Sequence, residues 1–389
     1  MKKMTIFFPT KYNKALGIES RLGIMRFLSN HFDTTVLTNN KEFIRGQVTN
    51  CNIIKYEDNS KSIFDKLTLD FSKWKKSASK INESSTDFVF MFEYTTPLAC
   101  FLKCPVFIYI SQYGKRSIEN KWSLKLFLKS QLEKVKHHIF LKGFNKSSQN
   151  FVVSTFLIDY FKTQGVKNLE FIPHAMELSK FRNPVIDNNH QKLLELQKAG
   201  YFIIAYTGWV TENRGFQLMI DSIKRITEQN KKVVLVIAGA DKYFSERITE
   251  FQKKFQLQNN IINYGVVDSS IIPGILHYAN IGLSFWDANV PGFQLAPPQK
   301  IFEYFAAGKP VICNKVQTHS MFVENRKTGF VINMDSTEVS DTILELVNNN
   351  ELYQQMCVNA ANEALKYDMD VVYGNMVKKI NEQLNEHKN

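Results

Sequence analysis

PPQKIFEYFAAGKPVIC, Pro297 to Cys313, contains a helix, its stop and a buried strand in one run. Pro297-Pro298 suit the start of a helix, Ile301 to Ala307 continue it, Gly308 suits the left-handed position after its end, and Val311 to Cys313 read as the next buried strand. Lys300 then falls in the first turn, where the positive end of the helix dipole disfavours a cation by roughly a few tenths of a kcal/mol. An anion beside it would reverse that sign. Backbone N–H groups at a helix start plus one lysine make a phosphate site, and Glu303 projects from the same side, where a carboxylate can accept both hydroxyls of a ribose diol. A plain Lys300–Glu303 surface pair fits the same spacing, as does a Glu303 that only complements the dipole.

Outward from this run the same grammar repeats. YFIIAYTG, KKVVLVIAG, NNIINYG, NIGLSFW, KPVICN and TGFVIN read as strands apolar on both faces, and Phe216–Thr227, Phe244–Phe255 and Ile271–Tyr278 carry apolar residues at helical spacing between them. Continuous apolar strands separated by helices imply a parallel sheet covered on both sides, with ligands at the carboxyl ends of its strands. The first part of the chain repeats the alternation, with strands expected at Met4–Phe8, Thr34–Leu37, Asn52–Lys55, Asp87–Phe92, Val106–Ile110, Phe151–Val153 and Leu169–Ile172. The fold class expected is therefore α/β, two Rossmann-like doubly wound parallel-sheet domains. Their expected limits are residues 1–177 and 200–367, joined by a linker over 178–199 that holds Arg182-Asn183-Pro184, with a C-terminal helix over 368–389 packed back on the first domain.

A second anion site is expected at YTGWVTENRGFQLMI, Tyr206–Ile220. A buried strand ends there at Gly208, a polar loop follows, and Arg214-Gly215 lead into a helix. An arginine at the carboxyl end of a central strand is placed to clamp a diphosphate with a forked pair of hydrogen bonds, and glycine lets the backbone approach closely. Arg214 paired to Glu212, or simply solvated, is the plainer reading. No Walker-type glycine-lysine loop is present.

Taken in order, these segments resemble the nucleotide-binding half of the GT-B glycosyltransferases, in particular the large group-1, retaining, nucleotide-sugar-dependent family. YTGWVTENRGFQLMIDSI resembles the strand-glycine-loop-(Lys/Arg)-Gly-helix motif, VVLVIAGA the next strand, NYGVVDSSIIPGILHYANIGLSFW the base-binding turn, helix and strand, and PPQKIFEYFAAGKPVIC the P-x-K-x-x-E-Y signature. The likeness spans most of residues 150–370. It implies that Arg214 and Lys300 hold the donor diphosphate and Glu303 the nucleotide ribose, while Gly265, Val266 and Val267 meet the base. Gly208, Gly239, Phe293, Gln294 and Leu295 are expected around the donor, and Gly17, opening the helix Ile18–Leu28, is expected to approach its phosphates from the first domain. The resemblance also implies two domains facing a cleft, the first binding the acceptor and the second the nucleotide sugar, with retention of anomeric configuration and neither metal nor cofactor. Three positions depart from the pattern. A second glutamate common in the family is Leu295 here, an arginine after the first glycine is Trp209, and a histidine facing the sugar is replaced within Ser111-Gln112-Tyr113.

The function expected is transfer of a sugar from a nucleoside-diphosphate donor to a hydroxyl of a glycan or lipid-linked acceptor, as in surface polysaccharide synthesis. A nucleotide-sugar epimerase on the same scaffold needs cleft acids and bases that the residues do not display, and a non-catalytic membrane-associated binding protein is the remaining alternative. His174, before the linker, reads as a cleft residue or, more plainly, as a packed one.

Composition sets the bounds. With 389 residues, 44% of them hydrophobic, two domains are the simple count, and a net charge of +12 points to an anionic partner without choosing among nucleotide, membrane surface and nucleic acid. Nucleic acid explains the charge and none of the ordered motifs. Lys115–Lys146 carries nine Lys/Arg against two Glu, with Lys121, Lys125 and Lys129 on one helical face and Leu124, Phe127, Leu128, Leu132, Val135 and Ile139 on another. Such a helix can lie on an anionic membrane, or pack on its own sheet with a solvated basic side. Five scattered cysteines, Cys100 and Cys104 among them, form neither a disulfide framework nor a metal set. The opening MKKMTIFFPTKY is too short in apolar residues for a signal peptide, and no run reaches the roughly 20 apolar residues of a membrane span, so a cytoplasmic or peripheral protein is expected.

Overall fold

A computed structural model describes residues 1–9, 18–56, 71–112, 124–229 and 232–386, with only the backbone of 71, 72, 124–130 and 132. The chain forms two compact units, Met1–Pro173 with Val372–Asn389, and His174–Val371.

Among the described residues the first unit holds a seven-stranded sheet in the order β3-β2-β1-β4-β5-β6-β7, with every neighbouring pair parallel. The strands are β1 Lys3–Phe7, β2 Asp33–Thr38, β3 Cys51–Lys55, β4 Phe88–Phe92, β5 Val106–Ile110, β6 Gln149–Val152 and β7 Leu169–Phe171. β4 (FVFMF) and β5 (VFIYI) are buried at every position, as central parallel strands covered on both faces must be. From Val372 onward the helix Met369–Glu386 belongs to this unit. There Tyr373 meets Phe27 edge-on at 5.6 Å, and Lys2 Nζ donates to Asn381 and Asn385 at 3.2 and 3.1 Å. The helix Leu124–Lys146 is seated at its carboxyl end, where Phe144 is fully buried and Gly143 lies so close to Thr96 that a Cβ would fall 2.4 Å from that carbonyl oxygen. Residues 115–123, including Lys121, lie outside the described residues, as do Gly17 and Tyr113. Among the described residues no helix is long and apolar enough to cross a membrane.

The second unit holds a six-stranded parallel sheet, again counted among the described residues, in the order β10-β9-β8-β11-β12-β13. Its strands are β8 Phe202–Thr207, β9 Val233–Ala238, β10 Ile261–Gly265, β11 Ile281–Ser284, β12 Val311–Asn314 and β13 Gly329–Ile332. The helix Phe216–Thr227 buries Phe216, Met219, Ile220, Ile223 and Ile226, one apolar stripe at helical spacing, against this sheet's core. Residues 178–199, expected as a linker, hold the helices Leu178–Arg182 and Gln191–Lys198. The second of these buries Leu193 and Leu196, and His190 just before it bonds the Ile271 carbonyl at 3.1 Å. In both sheets the strand order reverses between the first strand and the fourth, which leaves a crevice at their carboxyl ends.

Candidate functional site

The site is built where β8 and β11 part. Their ladder runs only through Ile204 and Ala205 with Ile281 and Gly282, so Thr207 N–H and Leu283 C=O have no strand to pair with. Tyr304, on the helix Gln299–Ala306, supplies both partners: its hydroxyl accepts from Thr207 N–H at 3.1 Å and donates to Leu283 O at 3.1 Å. Its ring occupies the space a side chain at position 282 would need, since a Cβ on Gly282 would lie 2.2 Å from it. The helix then stops in a Schellman motif, with Gly308 at φ +67°, Gly308 N–H on Phe305 O and Lys309 N–H on Tyr304 O, both at 2.8 Å.

This docking carries Lys300 inward. Lys300 is 7% exposed, and its Nζ stands 3.4 Å from the centroid of the Tyr206 ring. Among the described residues that ammonium has no hydrogen-bond or ion-pair partner. Burial, and then the nearby Arg214 cation, push its pKa well below the ordinary lysine value, with Glu303 pulling the other way. The surface-pair reading of Lys300 and Glu303 is therefore corrected: Lys300 is buried and forms no ion pair with Glu303 within 4.0 Å, because Tyr304 anchors the helix by the face that holds the lysine. Glu303 itself is half-buried.

Arg214 arrives from the loop after β8. Glu212, its nearest carboxylate in sequence, is engaged by Arg247 instead, which leaves the Arg214 guanidinium to lie over Trp286 and Phe293, 6.0 and 5.6 Å from their ring centroids. Those two rings stack on each other at 4.3 Å. Arg214 also donates toward the hydroxyl of Tyr206, which in turn donates to Trp209 O at 2.8 Å. Gly215 turns the chain at φ +75° and admits no Cβ, which would fall 2.6 Å from Phe285 Cβ. Tyr206 thus sits between two cations, and among the described residues no carboxylate forms an ion pair with either.

Three glycines close the carboxyl edge of β8, β9 and β10. Gly208 N–H bonds Ala238 O at 2.8 Å and Gly239 N–H bonds Gly265 O at 2.6 Å, all three glycines having positive φ. A Cβ on Gly239 would lie 2.1 Å from Gly208 O, and one on Gly208 would reach Lys300 Nζ at 3.9 Å. The edge is bare backbone leading to the lysine. Beneath the rings, Asn314 holds Trp286 by its backbone on both sides, at 2.9 and 2.8 Å, and the wholly buried His319 bonds Ser284 Oγ at 3.1 Å and Asn314 O at 3.2 Å. Burial pushes the His319 pKa down to about 3, the Asn314 contact opposes that, and the Lys300 charge adds to it. Trp286 Nε1 is buried without a hydrogen-bond partner among the described residues.

Residues 186–363 match the family described as glycosyl transferases group 1. The matched stretch lies wholly within the second unit. The whole chain is similar in fold to HepE of Anabaena, solved in complex with UDP and glucose, at 14% identity, TM-score 0.74, and 98% and 100% of the two chains covered. It is similar also to a glycosyltransferase from Rickettsia africae, at 17% identity, TM-score 0.72 and 99% and 98% covered. A third likeness is to WaaG, a glycosyltransferase involved in lipopolysaccharide biosynthesis, at 14% identity, TM-score 0.68 and 97% and 99% covered. Among curated protein sequences none matches the chain. The fold is that of the GT-B glycosyltransferases.

Within the second unit, the residues singled out from the sequence divide cleanly. Arg214, Lys300, Gly208 and Phe293 come together around Tyr206, and Gly239 and Gly265 continue the edge. Val266, 55% exposed, and Val267 follow on from β10, while Gln294 is held by Ala288 O at 2.9 Å and Leu295 lies half-buried in the next turn. His174 takes the packed reading, 5% exposed with its ring edge on Phe302 at 5.5 Å. Sequence reading passed over Tyr206, Tyr304, Trp286 and His319. The first three stand in apolar runs that read as core, and His319 carries no local signal at all.

Proposed function

We propose that this protein transfers a sugar from a nucleoside-diphosphate donor to a hydroxyl of a glycan or lipid-linked acceptor, with retention of anomeric configuration and without a metal ion. The observation that carries this reading is the pair of cations about Tyr206, a buried lysine without an ion pair among the described residues beside a guanidinium stacked on two rings, at the switch point of a parallel sheet. A diphosphate is the group whose charge and span such a pair fits. The group 1 match and the UDP bound in the HepE structure support the same donor class, and WaaG supports a role in surface polysaccharide assembly.

In this reading Arg214 and Lys300 bind the two phosphates, the bare edge from Gly208 to Gly265 lets the nucleoside lie against backbone, and Glu303 holds the ribose hydroxyls. As the anomeric bond breaks, negative charge grows on the departing diphosphate, and cations already fixed there lower the barrier without reorganising. The leaving phosphate then takes the acceptor's proton, so the two cations do the work otherwise assigned to a metal. The basic stretch over 115–146 serves an anionic membrane surface from which a lipid-linked acceptor is drawn.

The test is a panel of nucleotide sugars, read first by thermal shift and then by release of nucleoside diphosphate with chelator present. One donor should stabilise the protein and turn over in the chelator, with Arg214→Ala and Glu303→Ala each lowering the rate about a hundredfold or more. A panel without a binder refutes the reading. Isomerised donor would instead identify an epimerase.

A further inference from the structure

The first unit has a cavity at the end of its sheet opposite the switch point. The residues just before four neighbouring strands line it: Lys2 before β1, Asp87 before β4, Pro105 before β5 and Ser148 before β6. Parallel strands all begin on one side, so the order β1-β4-β5-β6 sets these four starts in a row. Lys103 and Cys104 come from the loop leading into β5, Lys146 ends the helix Leu124–Lys146, and Leu384 comes from the helix Met369–Glu386. The space is about 400 Å³, enough for a small metabolite. It lies away from the crevice at the carboxyl ends of the strands, where sheets of this kind take their principal ligand.

The lining is basic. It holds three lysines and one carboxylate, Asp87, whose Oδ2 accepts from Lys3 N–H at 2.7 Å. Among the described residues the ammonium groups of Lys103 and Lys146 have neither a hydrogen bond nor an ion pair, and Ser148 Oγ has no hydrogen-bond partner. Lys2 is held in place by the side-chain oxygens of Asn381 and Asn385, at 3.2 and 3.1 Å. A helix dipole accounts for a lysine at position 146, but not for Lys2 and Lys103, which arrive from a strand start and a loop. The positive field also reaches past the cavity: burial raises the pKa of the Cys100 thiol, and the charges of Lys142 and Lys146 oppose it. Like charges on a concave wall focus their field on an anion that enters. A phosphate monoester brings that charge, with terminal oxygens that ammonium and hydroxyl donors can share, while Pro105 and Leu384 offer apolar wall to its carbon skeleton.

We infer that this cavity binds the phosphate of a small soluble ester. The inference stands on the first unit alone and does not rest on the transfer reading. A lipid headgroup carries the same phosphate, and the test separates the two sources.

The probe is glycerol 3-phosphate, titrated into the full chain at low salt and followed by phosphorus NMR, beside vesicles of phosphatidylcholine with and without phosphatidic acid. The double change Lys103→Ala with Lys146→Ala removes two exposed ammonium groups that bond nothing among the described residues, so the fold should be kept. Glycerol 3-phosphate should bind the wild type and weaken about tenfold or more in the double variant. Lys142→Ala, which removes an exposed charge outside the lining, should change the affinity less than about twofold. The bound ester should also slow alkylation of Cys104, which lines the cavity, and leave that of Cys51 as it was, a readout that needs no variant. Absence of binding to the wild type, equal binding by the double variant, an equal loss in Lys142→Ala, or unaltered Cys104 alkylation would each overturn the inference. Binding to phosphatidic acid vesicles without binding of glycerol 3-phosphate would overturn it in favour of the lipid source.

Discussion

The Nζ of Lys300 lies 3.4 Å from the centre of the Tyr206 ring, an aromatic face beneath an ammonium that has no hydrogen-bond or ion-pair partner among the described residues. A cation–π contact of this kind is worth roughly 2 kcal/mol when desolvated, less than the cost of burying the charge. Lys300 is therefore under electrostatic stress, which an anion placed beside it would relieve.

Removing that stress should stabilise the ligand-free protein. Lys300→Met keeps the volume and drops the charge, so Tm without nucleotide should rise by a few degrees, about 1 kcal/mol in a unit of this size. UDP, which should raise the wild-type Tm, should leave that of the variant unmoved. A variant less stable than wild type in the absence of nucleotide would contradict this account.

The same stress sets a pH dependence. Folded and ligand-free, Lys300 has a pKa well below its ordinary value, so it loses its proton at lower pH than it would in the unfolded chain. A diphosphate favours the charged form, so binding above the depressed value should take up a proton, and UDP affinity should fall as pH climbs through it. Calorimetry in two buffers of different ionisation enthalpy should show proton uptake in the wild type and none in Lys300→Met.

Arg214 presents a plane as well as a charge. It lies on Trp286 and Phe293 and reaches the Tyr206 hydroxyl, a geometry that a lysine's point charge cannot copy. Arg214→Lys should recover less than about a tenth of the rate lost in Arg214→Ala, measured as kcat/KM for the donor.

Gly239 tests the backbone edge. Its φ of +126° and the 2.1 Å approach of Gly208 O leave no room for a methyl group. Gly239→Ala should cost about 1–3 kcal/mol in urea unfolding. Its UDP affinity should also fall, because Gly208 must shift beside Lys300.

His319 should make the domain acid-sensitive. Its folded pKa is about 3 against 6.5 ordinarily, so between those values the unfolded chain binds the extra proton and stability is lost as pH falls. The loss should be of the order of 1 kcal/mol per pH unit across that window. His319→Gln, which can keep the bonds to Ser284 and Asn314, should flatten this part of the stability profile in urea titrations.

The sequence by itself determined the layers. Apolar runs of strand length, helical stripes such as Phe216 to Ile226, and the stop at Gly308 are local signals, because burial period and backbone handedness are properties of neighbouring residues. Every expected strand is present, and Lys300 was legible as an oddity in a first helical turn. What the lysine faces was not. Lys300 on Tyr206, Arg214 over the Trp286–Phe293 stack, His319 on Ser284 and the capture of Glu212 by Arg247 join residues far apart in the chain, and likewise Arg21 with Glu93 in the first unit. Their meeting depends on the order of strands in each sheet. Only the tertiary structure decides which charges share a low-dielectric crevice, since burial and pairing are set by what packs around a group and not by what precedes it in sequence.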